Sequence, residues 1–195
     1  MKKLVLLCLL VMASLLLGCT QPGAMDFRGG VKKLEQFDKD YNSSVKTPPN
    51  SAAGIDGLRA QLVGFKAANK LSKPLNSLVD FRIVFLEAER LNAEGWQWGK
   101  GSTTDYGFGC KGYIRIKESS RLRNASAQRG YESVDMLEKF IEEFPSESKI
   151  AGLAQKDALA LNAMYFQIEE KASKDARLVE NLCGKKGNET KEAAA

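Results

Sequence analysis

Histidine is missing from this 195-residue chain. Its absence removes His-based catalytic triads and His-ligated metal centres, the commonest forms of both chemistries. Cysteine is scarce at four residues, and proline occurs only five times. The prolines stand at Pro22, in the polar stretch around Pro48 and Pro49, at Pro74 and at Pro145, and so leave long helices uninterrupted. No strong charge of either sign is present. A formal net charge of +5 is far from the balance of a nucleic-acid binder, so no nucleic-acid partner is expected.

What is there begins at the N-terminus. Lys2 and Lys3 precede fourteen uncharged, mostly apolar residues from Leu4 to Leu17, then Gly18 and Cys19. A basic start, an apolar run and a small residue are the three parts of a secretory signal. The run is too short to span a bilayer, which takes about 20 apolar residues. Leu16-Leu17-Gly18-Cys19 resembles the lipobox of prokaryotic lipoproteins, in which the cysteine is acylated and becomes the first residue of the mature chain. The resemblance implies a signal peptide over 1–18, lipid on Cys19, a tether over 19–25 and a place on the extracytoplasmic face of the cell membrane or outer membrane. Thr20 is not the Asp that retains enteric lipoproteins at the inner membrane. Acyl chains anchor physically, at roughly 0.8 kcal/mol per buried CH₂. Loss of residues 1–18 takes Lys2 and Lys3 with it and leaves the remainder at net +3. The same resemblance puts Cys110 and Cys183 in an oxidising compartment with one possible pairing. A disulfide between them is the expectation; two separate buried thiols are the alternative.

The remaining sequence patterns as helices. Phe27, Val31, Leu34, Phe37 and Tyr41 recur at steps of three and four, as do Ile55, Leu58, Leu62 and Phe65. The polar, proline-bearing stretch 42–51 separates these two helices. A third helix starts near Pro74, where a missing N–H is harmless, and reaches about Glu94. Helical spacing returns from Tyr113 to about Gln128, and Gly130 reads as a break. Val134, Leu137, Ile141 and Phe144 form the next stripe, ended by Pro145. Ser146 or Ser148 is placed to cap a helix carrying Ala154, Ala158, Leu161, Tyr165, Ile168 and Ala172. A short helix from Lys174 to Leu182 follows, and 184–195 reads as a solvated tail. The expectation is an all-α domain of antiparallel hairpins over 26–183. LEKFIEEFPSES, Leu137 to Ser148, with the alanine-rich helix after it, resembles a tetratricopeptide-like hairpin near 113–172; that family stacks helix pairs to bind peptides or partner proteins.

One stretch breaks the pattern. Gly95 to Gly112 holds six glycines and four aromatics in eighteen residues, and it reads as an ordered loop. Trp96, Trp98, Tyr106 and Phe108 either line a sugar or peptide site or fold inward as a cap. GFGCKG, Gly107 to Gly112, has the letters of a dinucleotide fingerprint but not the preceding strand it requires, so no cofactor is expected. GSTTDYG, Gly101 to Gly107, resembles the stretch around the catalytic aspartate of animal-type lysozymes. That resemblance implies Asp105 as nucleophile or charge stabiliser, with Glu89 or Glu87 as general acid; the alternative is that Asp105 organises a turn.

Charge is segregated along the later helices. Lys111, Arg115, Lys117, Arg121, Arg123 and Arg129 face one acid, Glu118; Glu132 to Glu147 is the mirror image, with Lys139 its lone base. The two runs read as hairpin neighbours attracting weakly, or the basic run as a face for anionic lipid heads or cell-wall polymer. Asn42, Asn124 and Asn188 head N-x-[ST] sequons. Together these features favour a lipid-anchored, non-catalytic protein that binds or organises an envelope protein or polysaccharide. The competing expectation is a glycan-cleaving hydrolase built on Asp105.

Overall fold

The computed structural model describes residues 25–46, 52–100 and 113–184. Among them the fold is all-α, as the periodicity requires. The helices are α1 (Phe27–Lys46), α2 (Ala52–Ala68), α3 (Lys73–Gly99), α4 (Tyr113–Glu143), α5 (Pro145–Ile150) and α6 (Gln155–Val179), with a π-helical turn at Glu180–Gly184. The stripes read from sequence are buried or packed against the core, apart from Ala154, which is exposed. Val31 and Leu34 of α1, Ile55, Leu58 and Leu62 of α2, Leu75, Leu78 and Phe81 of α3, and Leu137 and Phe140 of α4 share one core. Each large apolar side chain taken out of water contributes about 1.5–3 kcal/mol.

The long helices α3 and α4 lie antiparallel, and two hydroxyls fix their register. Ser119 Oγ donates to the Gly95 carbonyl at 2.7 Å and Ser126 Oγ to the Ala88 carbonyl at 2.8 Å. A step of seven forward on α4 matches a step of seven back on α3, so the same face recurs every second turn. Helix α6 packs antiparallel on α4, with Gln155 bonded to Glu138 near one end and Asp175 to Arg123 near the other. Helix α1 runs parallel to α3: Met25 N–H donates to the Lys70 carbonyl at 2.8 Å, Asp38 pairs with Arg82 and the Tyr41 ring meets Phe85. The chain therefore enters the bundle beside the start of α3.

Several expectations are corrected. Gly130 does not break the chain; α4 is continuous over 31 residues. Gly130 is buried, and the Tyr165 ring lies where its Cβ would stand, so this glycine serves close approach. The loop expected from Gly95 does not start there, because α3 continues through Gly99 and carries both tryptophans; residues 101–112 lie outside the described residues. Gly95 and Gly99 are pressed against α4, where a Cβ would meet Arg123 Cγ at 2.6 Å and Ser119 Oγ at 2.9 Å respectively. Tertiary contact here overrides the low helix propensity of glycine. The basic and acidic runs are, for the most part, successive turns of α4 and cannot face one another across a hairpin. Some partners lie on flanking helices, Glu87 for Arg129, Asp175 for Arg123 and Lys73 for Glu143, and others one turn away on α4 itself, Glu132 for Arg129 and Glu118 for Arg121. The segment 145–150 is itself a short helix, and α6 is capped by Asp157, whose carboxylate accepts the Ala154 N–H at 2.8 Å. The helix expected from Lys174 to Leu182 is the last part of α6 and the π-helical turn that follows it. A tetratricopeptide unit fits two helices and a turn into 34 residues, so α4, 31 residues long, exceeds the helices of that repeat.

The glycines of α2 supply a test of this reasoning. Gly57 and Gly64 have nothing within 4 Å of where a Cβ would stand. Each Gly→Ala change should raise stability by about 0.5–1 kcal/mol through helix propensity alone, measured as a shift in the urea midpoint.

Candidate functional site

The last turn of α3 places Trp96 and Trp98 at one end of the bundle, 52% and 41% exposed. Large apolar side chains are usually hidden, and here Ile114 of α4 and Leu178 of α6 are exposed at the same end. Trp96 is not loose. The Arg123 guanidinium carbon lies 4.9 Å from its ring centroid and Lys171 Nζ lies 4.6 Å from it. Contacts of this kind contribute about 0.5–2 kcal/mol, more as water is excluded.

Arg123 holds the arrangement together. Its residue is 4% exposed, and its Nη1 donates to Asp175 at 3.2 Å. Burial pulls the guanidinium below its ordinary pKa, and the Asp175 carboxylate opposes that pull. A guanidinium remains charged regardless. Its aliphatic stem fills the space above Gly95, which is why a side chain is missing there. Three helices thus supply one constellation: Trp96 from α3, Arg123 from α4, Lys171 and Asp175 from α6. It offers flat apolar area next to fixed positive charge.

Of the residues singled out from sequence, Trp96 and Trp98 belong to this end. Tyr106, Phe108, Asp105, Cys110 and Cys19 lie outside the described residues. Cys183 is half-buried in the π-helical turn that ends α6. The two acids considered as general acids are engaged elsewhere. Glu87 accepts both Nη2 (2.9 Å) and Nε (3.1 Å) of Arg129. Glu89 accepts the hydroxyls of Tyr41 at 3.1 Å and Tyr165 at 3.4 Å, joining α1, α3 and α6. Burial raises the Glu89 carboxyl pKa against these two hydrogen bonds, and burial beside Glu89 raises both tyrosines. The sequon at Asn124 is closed in the fold, because Ser126 is fully buried and its hydroxyl is bonded to Ala88.

Arg123 was visible from sequence only as one member of a basic run, and Lys171 not at all. No local signal separates them from neighbouring lysines and arginines; the sequence distance from Trp96 to Lys171 is closed by the bundle alone. Among the described residues no group of acids or cysteines is arranged to hold a metal ion, and no helix is long and apolar enough to cross a membrane. The chain matches no protein family model, no curated protein and no solved structure.

Proposed function

We propose that this is a lipid-anchored, extracytoplasmic helical protein that binds a partner of the cell envelope, without catalysis, through the bundle end that carries Trp96 and Trp98. The observation that carries the reading is the pair of half-exposed indoles, one of them fixed between Arg123 and Lys171. Two rigid aromatic surfaces beside positive charge have the composition of binding hot spots. The anchor rests on the lipobox-like sequence ending at Cys19. A bridge from Cys110 to Cys183 would tie the end of α6 to the segment between α3 and α4, at the same end as the tryptophans.

Two measurements test it. Intact-mass analysis of the native chain should give a polypeptide beginning at an acylated Cys19, and Cys19→Ser should move the protein from the membrane to the soluble fraction. A native chain with residues 1–18 still attached would end the anchoring half of the reading. Crosslinking in intact cells should yield an adduct that disappears in the Trp96→Ala/Trp98→Ala double variant. An unchanged adduct would remove the tryptophans from the binding role.

A further inference from the structure

We infer that the tryptophan end is a receptor for an acidic polysaccharide, held away from the bilayer that anchors the chain; the inference rests on the binding role proposed above and names its ligand class. The first argument is polarity. The described chain enters beside Leu71, at the start of α3, and the tryptophans close α3 at its other end. Twenty-seven residues at 1.5 Å each separate the two by about 40 Å. The six steps from Cys19 to Met25 add at most about 20 Å of reach. With the helices upright, the tryptophan end stands clear of the headgroups and meets what lies beyond them.

Charge supplies the second argument. Most acids at this end are taken up by basic neighbours, Glu94 by Arg90, Glu118 by Arg121, Glu170 by Lys174 and Asp175 by Arg123, and Glu180 is left exposed. Lys100, Arg115, Lys171 and Arg177 remain exposed around the indoles. A ligand here meets a positive rim and gains by carrying carboxylates or other anionic groups. Geometry supplies the third. Residues two apart on a helix point about 200° away from each other, so Trp96 and Trp98 present their rings on opposite sides of the last turn. One small molecule does not reach both. An extended chain of sugar rings laid over the helix end does, stacking its C–H faces on Trp98 and packing beside Trp96 and its two cations, while its acidic groups meet the lysines and arginines.

The chain contains two tryptophans, so its indole emission reports this end alone. The full acylated chain is reconstituted in phosphatidylcholine vesicles and titrated with polygalacturonate or with uncharged dextran. Polygalacturonate should shift the emission saturably, with binding that weakens as salt rises, and dextran should not. Trp98→Ala and Lys171→Gln should each weaken binding about tenfold, or about 1.4 kcal/mol, while Trp98→Phe retains most of it. Circular dichroism confirms that each variant stays helical. In vesicles containing brominated acyl chains and phosphatidylglycerol, emission should stay unquenched. Three outcomes overturn the proposal: no response to polygalacturonate, an equal response to dextran, or quenching by the brominated lipid, which would make this a lipid-docking end. No polygalacturonate response with the tryptophan-dependent crosslink intact rejects the ligand class and leaves the binding role standing. Loss of both rejects the two together.

Discussion

Gly130→Ala is expected to destabilise the fold by about 2 kcal/mol, although the same substitution at Gly57 or Gly64 is expected to stabilise it. All three glycines are helical. At Gly130 the new Cβ falls closer than 3.0 Å to three atoms of the Tyr165 ring. That ring is fully buried, and the atoms are those next to its stem, so no flexible tip can swing aside. Overpacking of this kind costs about 3 kcal/mol, offset by about 1 kcal/mol of improved helix propensity. Removing the ring should reverse the sign. In a Tyr165→Ala background, Gly130→Ala should stabilise by about 1 kcal/mol, a coupling of about 3 kcal/mol in a double-mutant cycle. Additive effects in urea denaturation would show that α6 does not rest on α4 at this glycine.

The second large effect is expected at Glu89. Glu89→Leu leaves the Tyr41 hydroxyl without its acceptor and the Tyr165 hydroxyl with Ser133 alone, and a buried donor left without an acceptor costs about 1–3 kcal/mol. Tyr165 is fully buried and Tyr41 partly so, so a loss of about 2 kcal/mol is expected. Glu89→Gln should cost less than about 1 kcal/mol, because an amide still accepts one hydroxyl and can donate to the other, a hydroxyl being both donor and acceptor. The pair of variants also isolates a pH effect. The Glu89 carboxyl titrates above the 4.5 of a free glutamate, chiefly through burial. The folded chain then holds this proton more tightly than the unfolded chain does. Stability from this group is fully present below pH 4.5 and declines as pH rises through the folded value. Asp38, raised by burial against the pull of Arg82, acts in the same direction. Urea midpoints from pH 4.5 to 8 should fall less steeply for Glu89→Gln than for the parent chain; equal slopes would place the titration elsewhere.

Stripes such as Ile55, Leu58 and Leu62 were legible because a helix repeats every 3.6 residues and a core-facing side needs an apolar residue at each return. Glycine content misled at three positions, though not at Gly30, which presses on Leu75 within a helix read as one. Gly95, Gly99 and Gly130 are breakers by propensity, yet each sits where a neighbouring helix leaves no room for a side chain. Propensity is local; the clash that forbids alanine comes from Arg123, Ser119 or Tyr165, and the nearest of these in sequence is still 20 residues away. The candidate site divides in the same manner. Trp96 and Trp98 announced themselves, because two indoles in a glycine-rich stretch are rare. Arg123, Lys171 and Asp175 did not, because nothing about a basic or acidic residue in an amphipathic helix says which partner it will meet.

By itself, therefore, the sequence determined the helical class, the buried stripes and the absence of imidazole chemistry, all of which follow from residue type and short-range period. The tertiary structure alone decided that α3 and α4 run unbroken, that two acids considered for catalysis are tied to Arg129, Tyr41 and Tyr165, and that cations from two other helices flank Trp96. These depend on contacts across 20 to 76 residues of chain, and such contacts are set by which helix faces fit together at close range rather than by any local preference.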